Sequence, residues 1–485
     1  IRMNIQLLSH EILVLALAMG LVLADLWLPA SARRNLGYAA AAGLGAILLY
    51  SFIFVRIGSG EVHYAFSQMF VLDGMALFFK RFFLVAALLV ILMSIEFSAT
   101  FRAGLPEYFS LTLVALLGML LAASANNFAL LFVSLELITI TFYILTSFHR
   151  YRETSLEAGV KYLIIGAVST GFTVYGIALV YGLSGTFNFN DLAAVSGQLA
   201  GNRIFLFGLL LIMVGLGFKI AAFPFQVWAP DVYQGAPTPT TAFLAVGSKA
   251  AGFALLLRVL FTAVPDVAAQ WGNVLIIISA ITILYGNLCA IPQRNIKRLM
   301  GYSSIAHAGY MLMGIAALNA AGQSAILYYL AGYLFTVLGA FTVVCLVMQQ
   351  VEGEDISGLA GLSQRSPLLA ATMTLAMVSL AGLPPMAGFF GKFLLLKSIL
   401  AEAPSQPGYY CLAFTALAGV VISMYYYFGV IRAIYWSKDA ADLTPLKPSK
   451  PIRVSLYACV AGMFFLGLFP GTFVNLANEA VRVLR

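Results

Sequence analysis

Apolar segments long enough to cross a lipid bilayer follow one another along almost the whole of this chain. Of its 485 residues, 62% are hydrophobic and only 9% are charged, whereas about a quarter of the residues in a soluble globular protein are charged. A membrane-spanning helix needs about 20 consecutive apolar residues. The chain is therefore predicted to be an all-α polytopic membrane protein with about 14 transmembrane helices.

The apolar segments and the short polar intervals between them give the predicted positions of the membrane spans. Three of these segments are too long for straight crossings, so we expect tilted or broken helices there. The predicted spans lie near residues 10–28, 36–55, 74–95, 108–124, 127–148, 156–183, 204–223, 239–263, 272–291, 301–318, 322–349, 367–400, 408–435 and 453–475.

Lysine and arginine residues are unevenly distributed between the two sides of the predicted spans. The loops after odd-numbered spans carry fourteen of them: Arg33, Arg34, Arg102, Arg150, Arg152, Arg294, Lys297, Arg298, Arg365, Arg432, Lys438, Lys447, Lys450 and Arg453. The opposite loops carry four: Arg56, Arg203 and, at a span edge, Lys80 and Arg81. Because positively charged loops stay in the cytoplasm, both chain ends are predicted to lie on the outer side.

The start of the chain resembles a secretory signal peptide, because Arg2 and an apolar run precede the sequence Ala30-Ser31-Ala32. The apolar run is nevertheless long enough to span a bilayer, and Arg33 and Arg34 follow it directly. We therefore expect this segment to be retained as the first membrane helix.

Two of the predicted spans are interrupted by proline. The seventh runs into Pro224 and the prolines that follow it, and the twelfth carries Gly382-Leu383-Pro384-Pro385 near its middle. Such breaks persist at membrane depth only where protein or a wet cavity surrounds them. Interrupted helices at matching positions in two halves are typical of inverted-repeat transporters. This predicts N-terminal helices in 1–107, five-helix inverted repeats in 108–263 and 264–436, and a cytoplasmic loop and last helix in 437–485.

Four ionisable residues lie deep inside predicted spans, namely Glu136, Lys219, Lys249 and Lys392. A charge near the bilayer centre costs at least about 2.5–3.5 kcal/mol, so the presence of each of these residues needs a structural or functional explanation. One reading is that ion pairs hold the helices in register. However, one carboxylate cannot neutralise three lysines, and burial disfavours the lysine cation. The alternative, a proton path through groups that change charge, is therefore favoured.

Three further residues are weaker candidates for the same path. Glu157 and Lys161 are four residues apart on one predicted helix, which suits either proton uptake or a local ion pair. His307, in the tenth span, suits either a proton relay or a hydrogen-bonded core histidine. The residue pattern alone leaves both alternatives open.

Three other charged residues are expected to have a structural role. Arg258 and Lys397 lie near span ends, where long basic side chains reach toward the membrane surface. Arg258 is also unsuited to proton transfer because arginine does not release its proton usefully. Asp231, in the loop after the seventh span, is expected to cap a helix rather than receive protons.

Several classes of function are excluded by the sequence. The four cysteines are far apart and lie inside apolar runs, so neither a metal site nor an iron–sulfur site is indicated. No dinucleotide-binding fingerprint is present, so no redox chemistry and no cofactor are expected in this chain. The net charge of +8 sits in short loops and does not indicate nucleic-acid binding.

Several stretches resemble the antiporter-like subunits of respiratory complex I, the proton-translocating NADH:quinone oxidoreductase, and most closely subunit N. The resemblance covers roughly residues 105–435. It is carried by Gly217–Lys219, Pro224–Phe225, Trp228–Pro239, Lys297–Tyr310 and Gly382–Lys392. It implies that Glu136 and Lys219 form an ion pair, that Lys249 is the central lysine and that Lys392 is the exit lysine. His307 falls within the Lys297–Tyr310 motif.

The resemblance also implies partners and a location. Protons would cross the bacterial inner membrane, driven by NADH-to-quinone electron transfer in partner subunits that carry FMN and iron–sulfur clusters. The expected neighbours are the antiporter-like subunit M, the small K-type subunit and membrane lipid. A stand-alone Mrp-type cation/proton antiporter and a purely structural assembly subunit remain the alternatives.

Overall fold

A computed structural model describes residues 4–29, 32–101, 103–351, 353–436 and 443–484. In these residues, twelve helical stretches are long and apolar enough to cross a membrane. The protein is thus the predicted helical multi-pass membrane protein. Five residues named above, Arg2, Ala30, Ser31, Arg102 and Lys438, lie outside the described part of the chain.

The first part of the chain forms two helices, a small antiparallel hairpin and a third helix. Strand Val62–Ala65 pairs with Phe70–Asp73, and Val62 lies opposite Asp73. The sequence did not predict this hairpin, whose strands are only four residues long. The elements are α1 (Ser9–Asp25), α2 (Asn35–Ile53), β1 (Val62–Ala65), β2 (Phe70–Asp73) and α3 (Gly74–Phe97).

The next part of the chain contains four long helices, a short surface helix, α7, and a buried segment that is interrupted several times. The elements are α4 (Leu105–Ala123), α5 (Phe128–Thr146), α6 (Glu153–Ser184), α7 (Phe189–Leu199), α8 (Arg203–Ile220), α9 (Trp228–Gly235), α10 (Thr238–Phe243) and α11 (Lys249–Arg258). Two π-helical turns, Leu244–Ser248 and Val259–Ala263, flank α11 directly.

The remaining helices complete the bundle. They are α12 (Pro265–Ala268), α13 (Gly272–Ala290), α14 (Ile296–Ala316), α15 (Ala320–Val347), α16 (Leu362–Arg365), α17 (Pro367–Ala381), α18 (Ala387–Glu402), α19 (Gly408–Trp436), α20 (Lys450–Leu468) and α21 (Pro470–Val481). The last predicted span, 453–475, is wrong at its end, because α20 stops at Leu468 and Pro470 begins a separate helix.

The two predicted interruptions are present, and the helices before them end in the same way. After α8, Ala221 is left-handed (φ 59°), and after α17, Gly382 is left-handed (φ 84°). The next residue in each case, Ala222 or Leu383, donates its N–H to a carbonyl five residues back. This is the Schellman arrangement that closes a helix end. The shared geometry of the two helix ends agrees with the predicted repeats. The repeats themselves and the count of about 14 spans remain predictions.

Burial separates the helices into a core and a periphery. In the stretch Thr238–Ala263, which contains α10 and α11, every residue except the half-buried Thr262 is buried, and 94% of the most apolar 18-residue stretch of α15 is buried. By contrast, α6 is only 28% buried by the same measure. The ionisable side chains of α11 are therefore enclosed by other helices, whereas α6 presents most of its surface to the outside of the bundle.

Candidate functional site: buried lysines and their partners

Three lysines lie deep in the bundle without a carboxylate beside them. The side chains of Lys219, Lys249 and Lys392 are only 3%, 1% and 8% exposed. Among the described residues, none of the three ammonium groups lies within 4.0 Å of a carboxylate oxygen. Each instead donates hydrogen bonds to hydroxyl or carbonyl oxygens, so each buried amine is solvated by neutral groups of the protein.

Lys219 occupies the last turn of α8, just before the first helix break. Its Nζ donates a 2.8 Å hydrogen bond to Thr139 Oγ1 on α5. The lysine stem passes close to α11, where a Cβ on Gly252 would lie 3.3 Å from Lys219 Cγ. Glycine at position 252 thus lets the Lys219 side chain lie against the helix that carries Lys249.

Glu136 lies on α5 and is only partly buried. It accepts a 2.7 Å hydrogen bond from Thr170 Oγ1 on α6. Glu136 and Lys219 line the same cavity of about 20 Å³, which is enough for one water molecule. The structure therefore brings the two predicted partners to one cavity, but it does not join them in the direct ion pair that the resemblance implied.

Lys249 begins α11, immediately after a π-helical turn. Its Nζ donates a 2.6 Å hydrogen bond to the carbonyl oxygen of Ser304 on α14, and it also contacts Ser304 Oγ. That hydroxyl lies 3.0 Å from the hydroxyl of Tyr233 on α9. Lys249 is thus connected to α14 and, through Ser304, to the short helix α9.

His307 lies on α14, one turn after Ser304, and both of its ring nitrogens have partners. Nδ1 lies 2.5 Å from the hydroxyl of Tyr329 on α15, and Nε2 lies 3.0 Å from the hydroxyl of Tyr427 on α19. Tyr427 also lies 2.5 Å from Ser303 Oγ. The hydroxyl groups and the imidazole form a continuous hydrogen-bonded chain from Ser303 to Tyr329.

Lys392 lies on α18, after the second helix break, and reaches back to the helix before it. Its Nζ donates to the carbonyl oxygens of Leu380 and Ala381, at 2.7 and 3.1 Å, and lies 4.9 Å from the centre of the Tyr310 ring. Leu380 and His307 line one small cavity. The ammonium group thus satisfies carbonyls that the break leaves free, close to the histidine.

Glu157 and Lys161 form an i,i+4 ion pair, one of the two alternatives that the sequence left open, with 2.7 Å between Glu157 Oε1 and Lys161 Nζ. Lys161 also contacts Asp231 at 2.8 Å, and Asp231 pairs with Arg298 on α14. Burial alone would raise the pKa of Asp231, but hydrogen bonds from Lys161 and Arg298 lower it below its usual value. The expectation that Asp231 caps a helix is wrong, because Asp231 lies within the first turn of α9 and bridges two cations.

Two basic residues do not lie where the sequence placed them. Arg258 does not reach the membrane surface: it is 2% exposed and donates two 2.8 Å hydrogen bonds to the carboxylate of Asp73. Lys80, assigned to a span edge, is fully buried, and its Nζ lies 2.8 Å from Glu11 Oε1. Both predictions failed because the partners, Asp73 at the end of β2 and Glu11 on α1, are remote in sequence from the basic residues. Lys397 is exposed, as expected.

Sequence reasoning missed the hydroxyl groups that connect the titratable side chains. Tyr233, Tyr329 and Tyr427 are all buried, and each shares a hydrogen bond with Ser304 or His307. A signal was available, because Tyr329 and Tyr427 lie in the middle of predicted spans rather than at the membrane interface. A buried tyrosine hydroxyl needs a polar partner, and that requirement could have indicated a polar interior there.

Comparison with known proteins places the chain in a family. The family model described as "NADH:quinone oxidoreductase/Mrp antiporter, TM" matches residues 125–422. NADH-quinone oxidoreductase subunit N of Moorella thermoacetica is 41% identical, and the match covers 99% of this chain and 98% of that relative. Subunit N of Heliobacterium modesticaldum is 40% identical over 99% of this chain and 100% of that relative.

Solved structures agree with this placement. A chain of respiratory complex I from Thermus thermophilus with bound aureothin has a TM-score of 0.80 and 33% identity, with 97% of this chain and 99% of that chain covered. The Mrp complex from Dietzia has a TM-score of 0.84 but only 18% identity, with 98% and 97% covered, and shows the fold alone. The chain therefore belongs to the NADH-quinone oxidoreductase subunit N family, within the wider group of complex I and Mrp antiporter-like membrane proteins.

Proposed function

We propose that this chain is a proton-translocating membrane subunit of complex I, and that Glu136, Lys219, Lys249, His307 and Lys392 carry the protons. The observation that supports this most is the burial of three lysines without carboxylate partners. A permanently charged amine at membrane depth costs several kcal/mol, and a lysine avoids that cost by releasing its proton. Arginine cannot do so, which makes lysine the suitable residue for a relay.

The hydrogen bonds suggest the order of the transfer steps. Protons would pass from Lys219, beside Gly252 on α11, to Lys249, which begins that helix. From Lys249 they would pass through the serine, tyrosine and histidine groups of α14, α15 and α19. The final step would be from the cavity beside His307 to Lys392. Water molecules would complete the route where side chains do not touch.

Glu136 would control the first lysine through its charge. A carboxylate that approaches Lys219 favours the lysine cation, and one that withdraws favours release of the proton. The cavity of about 20 Å³ between them leaves room for such a change. Moving one charge against 100 mV costs about 2.3 kcal/mol, which a change in the strength of one buried ion pair can supply.

The energy would arrive from partner subunits, because the proposed path contains no redox group. FMN and iron–sulfur clusters in those partners would carry electrons from NADH to quinone. The face formed by α5 and α6, which carries exposed apolar residues such as Val133, Ile140 and Leu163, suits contact with a K-type or an M-type subunit, or with lipid. In the bacterial inner membrane, both chain ends would lie outside, with Glu157 and Lys161 on the uptake side.

The proposed domain division follows the same scheme. Residues 108–263 and 264–436 would form two inverted repeats, each with one broken helix and with lysines close to the break. Residues 1–107 and 437–485 would flank them. The matching Schellman ends of α8 and α17 support this division.

The test is to replace Lys219 or Lys249 with alanine in the assembled complex and to measure protons moved per electron in sealed vesicles. Lys397→Ala is the matched control, because Lys397 lies on α18 with Lys392 but is exposed. We expect both buried-lysine variants to lower the ratio while Lys397→Ala leaves it unchanged. An unchanged ratio in all three would reject the relay. Purification without flavin and iron–sulfur subunits would instead favour a stand-alone antiporter.

A further inference from the structure

A cavity of about 260 Å³ opens at one end of the bundle, between the α3–α4 connection and the α5–α6 connection. It lies apart from the buried lysines and plays no role in the proposed relay. The described residues that line it are Thr100, Phe101, Ala103, Phe148, His149, Arg150, Tyr151 and Arg152. This set combines three basic side chains with apolar walls, and it contains no acidic side chain.

The two arginines of the cavity are free to bind a ligand. The side chains of Arg150 and Arg152 are exposed and donate no hydrogen bond to any described residue. Two guanidinium groups beside one cavity suit a phosphate group, since arginine binds phosphate oxygens with paired hydrogen bonds. The apolar walls, formed by Phe101 and Phe148, suit the hydrocarbon part of a larger molecule.

His149 lies at the cavity and has a ring nitrogen without a hydrogen-bond partner among the described residues. Its ring packs 4.9 Å from the ring of Phe101 and 5.5 Å from that of Phe97, and its Nε2 is buried without a hydrogen-bond partner among the described residues. Burial, together with the charges of Arg152 and Lys297, lowers the pKa of His149 to about 4. The charge of Lys297 is balanced by Glu354, whose Oε1 lies 2.8 Å from Lys297 Nζ, whereas no carboxylate oxygen of the described residues lies within 4.0 Å of Arg150 or Arg152.

We propose that this cavity binds the phosphate group of an anionic phospholipid. The α5–α6 loop lies where two membrane helices end, which is the depth of the lipid headgroups, and basic pockets between membrane helices bind such headgroups. The two connected helices carry Glu136 on α5 and Thr170 on α6, which are joined by a hydrogen bond. A bound headgroup would therefore hold together the two helices that position Glu136.

The test uses the purified complex and a photoactivatable phosphatidylglycerol, with a photoactivatable phosphatidylcholine as the neutral comparison. Cross-linked peptides are mapped by mass spectrometry at graded lipid concentrations. The variants are Arg150→Gln/Arg152→Gln, which removes the charges, and Ala103→Trp, which fills the cavity. The matched control, Lys447→Gln/Lys450→Gln, removes two exposed charges from another loop predicted to lie on the same side of the membrane.

We expect phosphatidylglycerol to label residues 100–108 and 148–152 in the unaltered chain and in the lysine control. In the double arginine variant, half-saturation of the labelling should need about 30-fold more lipid. This is the change expected when two arginines that attract anionic lipid are removed. Ala103→Trp should abolish the labelling with all charges in place. Equal labelling by phosphatidylcholine, or equal labelling in all variants, would overturn the proposal. Displacement of the lipid by millimolar inorganic phosphate would overturn its assignment to a phospholipid.

Discussion

Two groups of buried charges in this protein are built in opposite ways. In the first group, Lys80 lies 2.8 Å from Glu11, and Arg258 forms two 2.8 Å hydrogen bonds with Asp73. We call these four residues the paired cluster. In the unpaired row, Lys219, Lys249 and Lys392 donate hydrogen bonds only to hydroxyl and carbonyl oxygens of the described residues. All seven side chains are buried, so burial alone does not distinguish the two groups.

The difference lies in charge balance. In the paired cluster two cations meet two carboxylates, so the charges neutralise each other and no proton needs to move. A buried pair of this kind joins helices, and removing one member leaves the other uncompensated. In the unpaired row each amine can become neutral by losing its proton. The contrast leads us to assign the paired cluster to structure and the unpaired row to proton transfer.

The largest effect is expected from Arg258→Met, because it leaves the Asp73 carboxylate buried without a cation. We expect a loss of about 3–5 kcal/mol in the free energy of unfolding, seen as a lower melting temperature and a lower yield of assembled complex. Asp73→Asn/Arg258→Met removes both charges, and asparagine can still accept the hydrogen bond from the Ala76 N–H. The double variant should recover most of the loss, and failure to recover would contradict the assignment.

Lys249→Arg tests whether proton translocation needs the positive charge at position 249 or a side chain that can release its proton. Arginine keeps a positive charge at this position but does not release its proton. We therefore expect assembled complex whose proton translocation is about 100-fold slower, the usual contribution of one proton-transfer group. Proton release from vesicles during NADH oxidation measures this rate, and Lys397→Arg is the control. Normal translocation by Lys249→Arg would mean that the charge of the lysine matters and its proton does not.

Tyr427→Phe tests the hydrogen-bonded chain from Ser303 to Tyr329, which is part of the proposed proton route. The change removes the hydroxyl that contacts both Ser303 and His307. We expect a cost of about 1–3 kcal/mol for the unpaired polar groups and translocation about tenfold slower, equivalent to about 1.4 kcal/mol in the barrier. Tyr425→Phe is the control, since Tyr425 is on the same helix but 71% exposed. Equal rates in both variants would remove Tyr427 from the path.

The smallest effect concerns His149, which lies outside both groups. Its folded-state pKa of about 4 is below the value of about 6.5 for an unfolded histidine, so the unfolded chain binds more protons between these values. Stability should therefore fall as the pH drops from about 6.5 to about 4. His149→Gln should remove about 1 kcal/mol of this dependence, after allowance for partial exposure. Melting curves at pH 7 and pH 5 would show it, and an identical pH dependence would refute it.

The features that depend on local sequence were predictable. Proline and glycine indicated both helix breaks, and the spacing of Glu157 and Lys161, one helical turn apart, gave a local ion pair as one of two alternatives. The positions of Glu136, Lys219, Lys249 and Lys392 inside apolar segments identified them as exceptional before any contact was known. Each of these inferences needs only spacing along one segment.

The features that depend on contacts between distant helices were not predictable. Arg258 on α11 meets Asp73 at the end of β2 across 185 positions of the chain, and no periodicity along either element indicates that contact. For the same reason Arg258 was expected at the membrane surface and Lys80 at a span edge. The hydrogen bonds from Lys219 to Thr139 and from Thr170 to Glu136 are also contacts between helices. Spacing along one helix does not specify such contacts.

The most direct test of the central claim compares one change in each group by the same assay. Lys249→Met and Glu11→Leu/Lys80→Met both remove buried charge, and protons moved per electron are measured in vesicles containing the assembled complex. We predict a lowered ratio for Lys249→Met and an unchanged ratio for the paired-cluster variant. An unchanged ratio for Lys249→Met, or the same loss in both variants, would contradict the account.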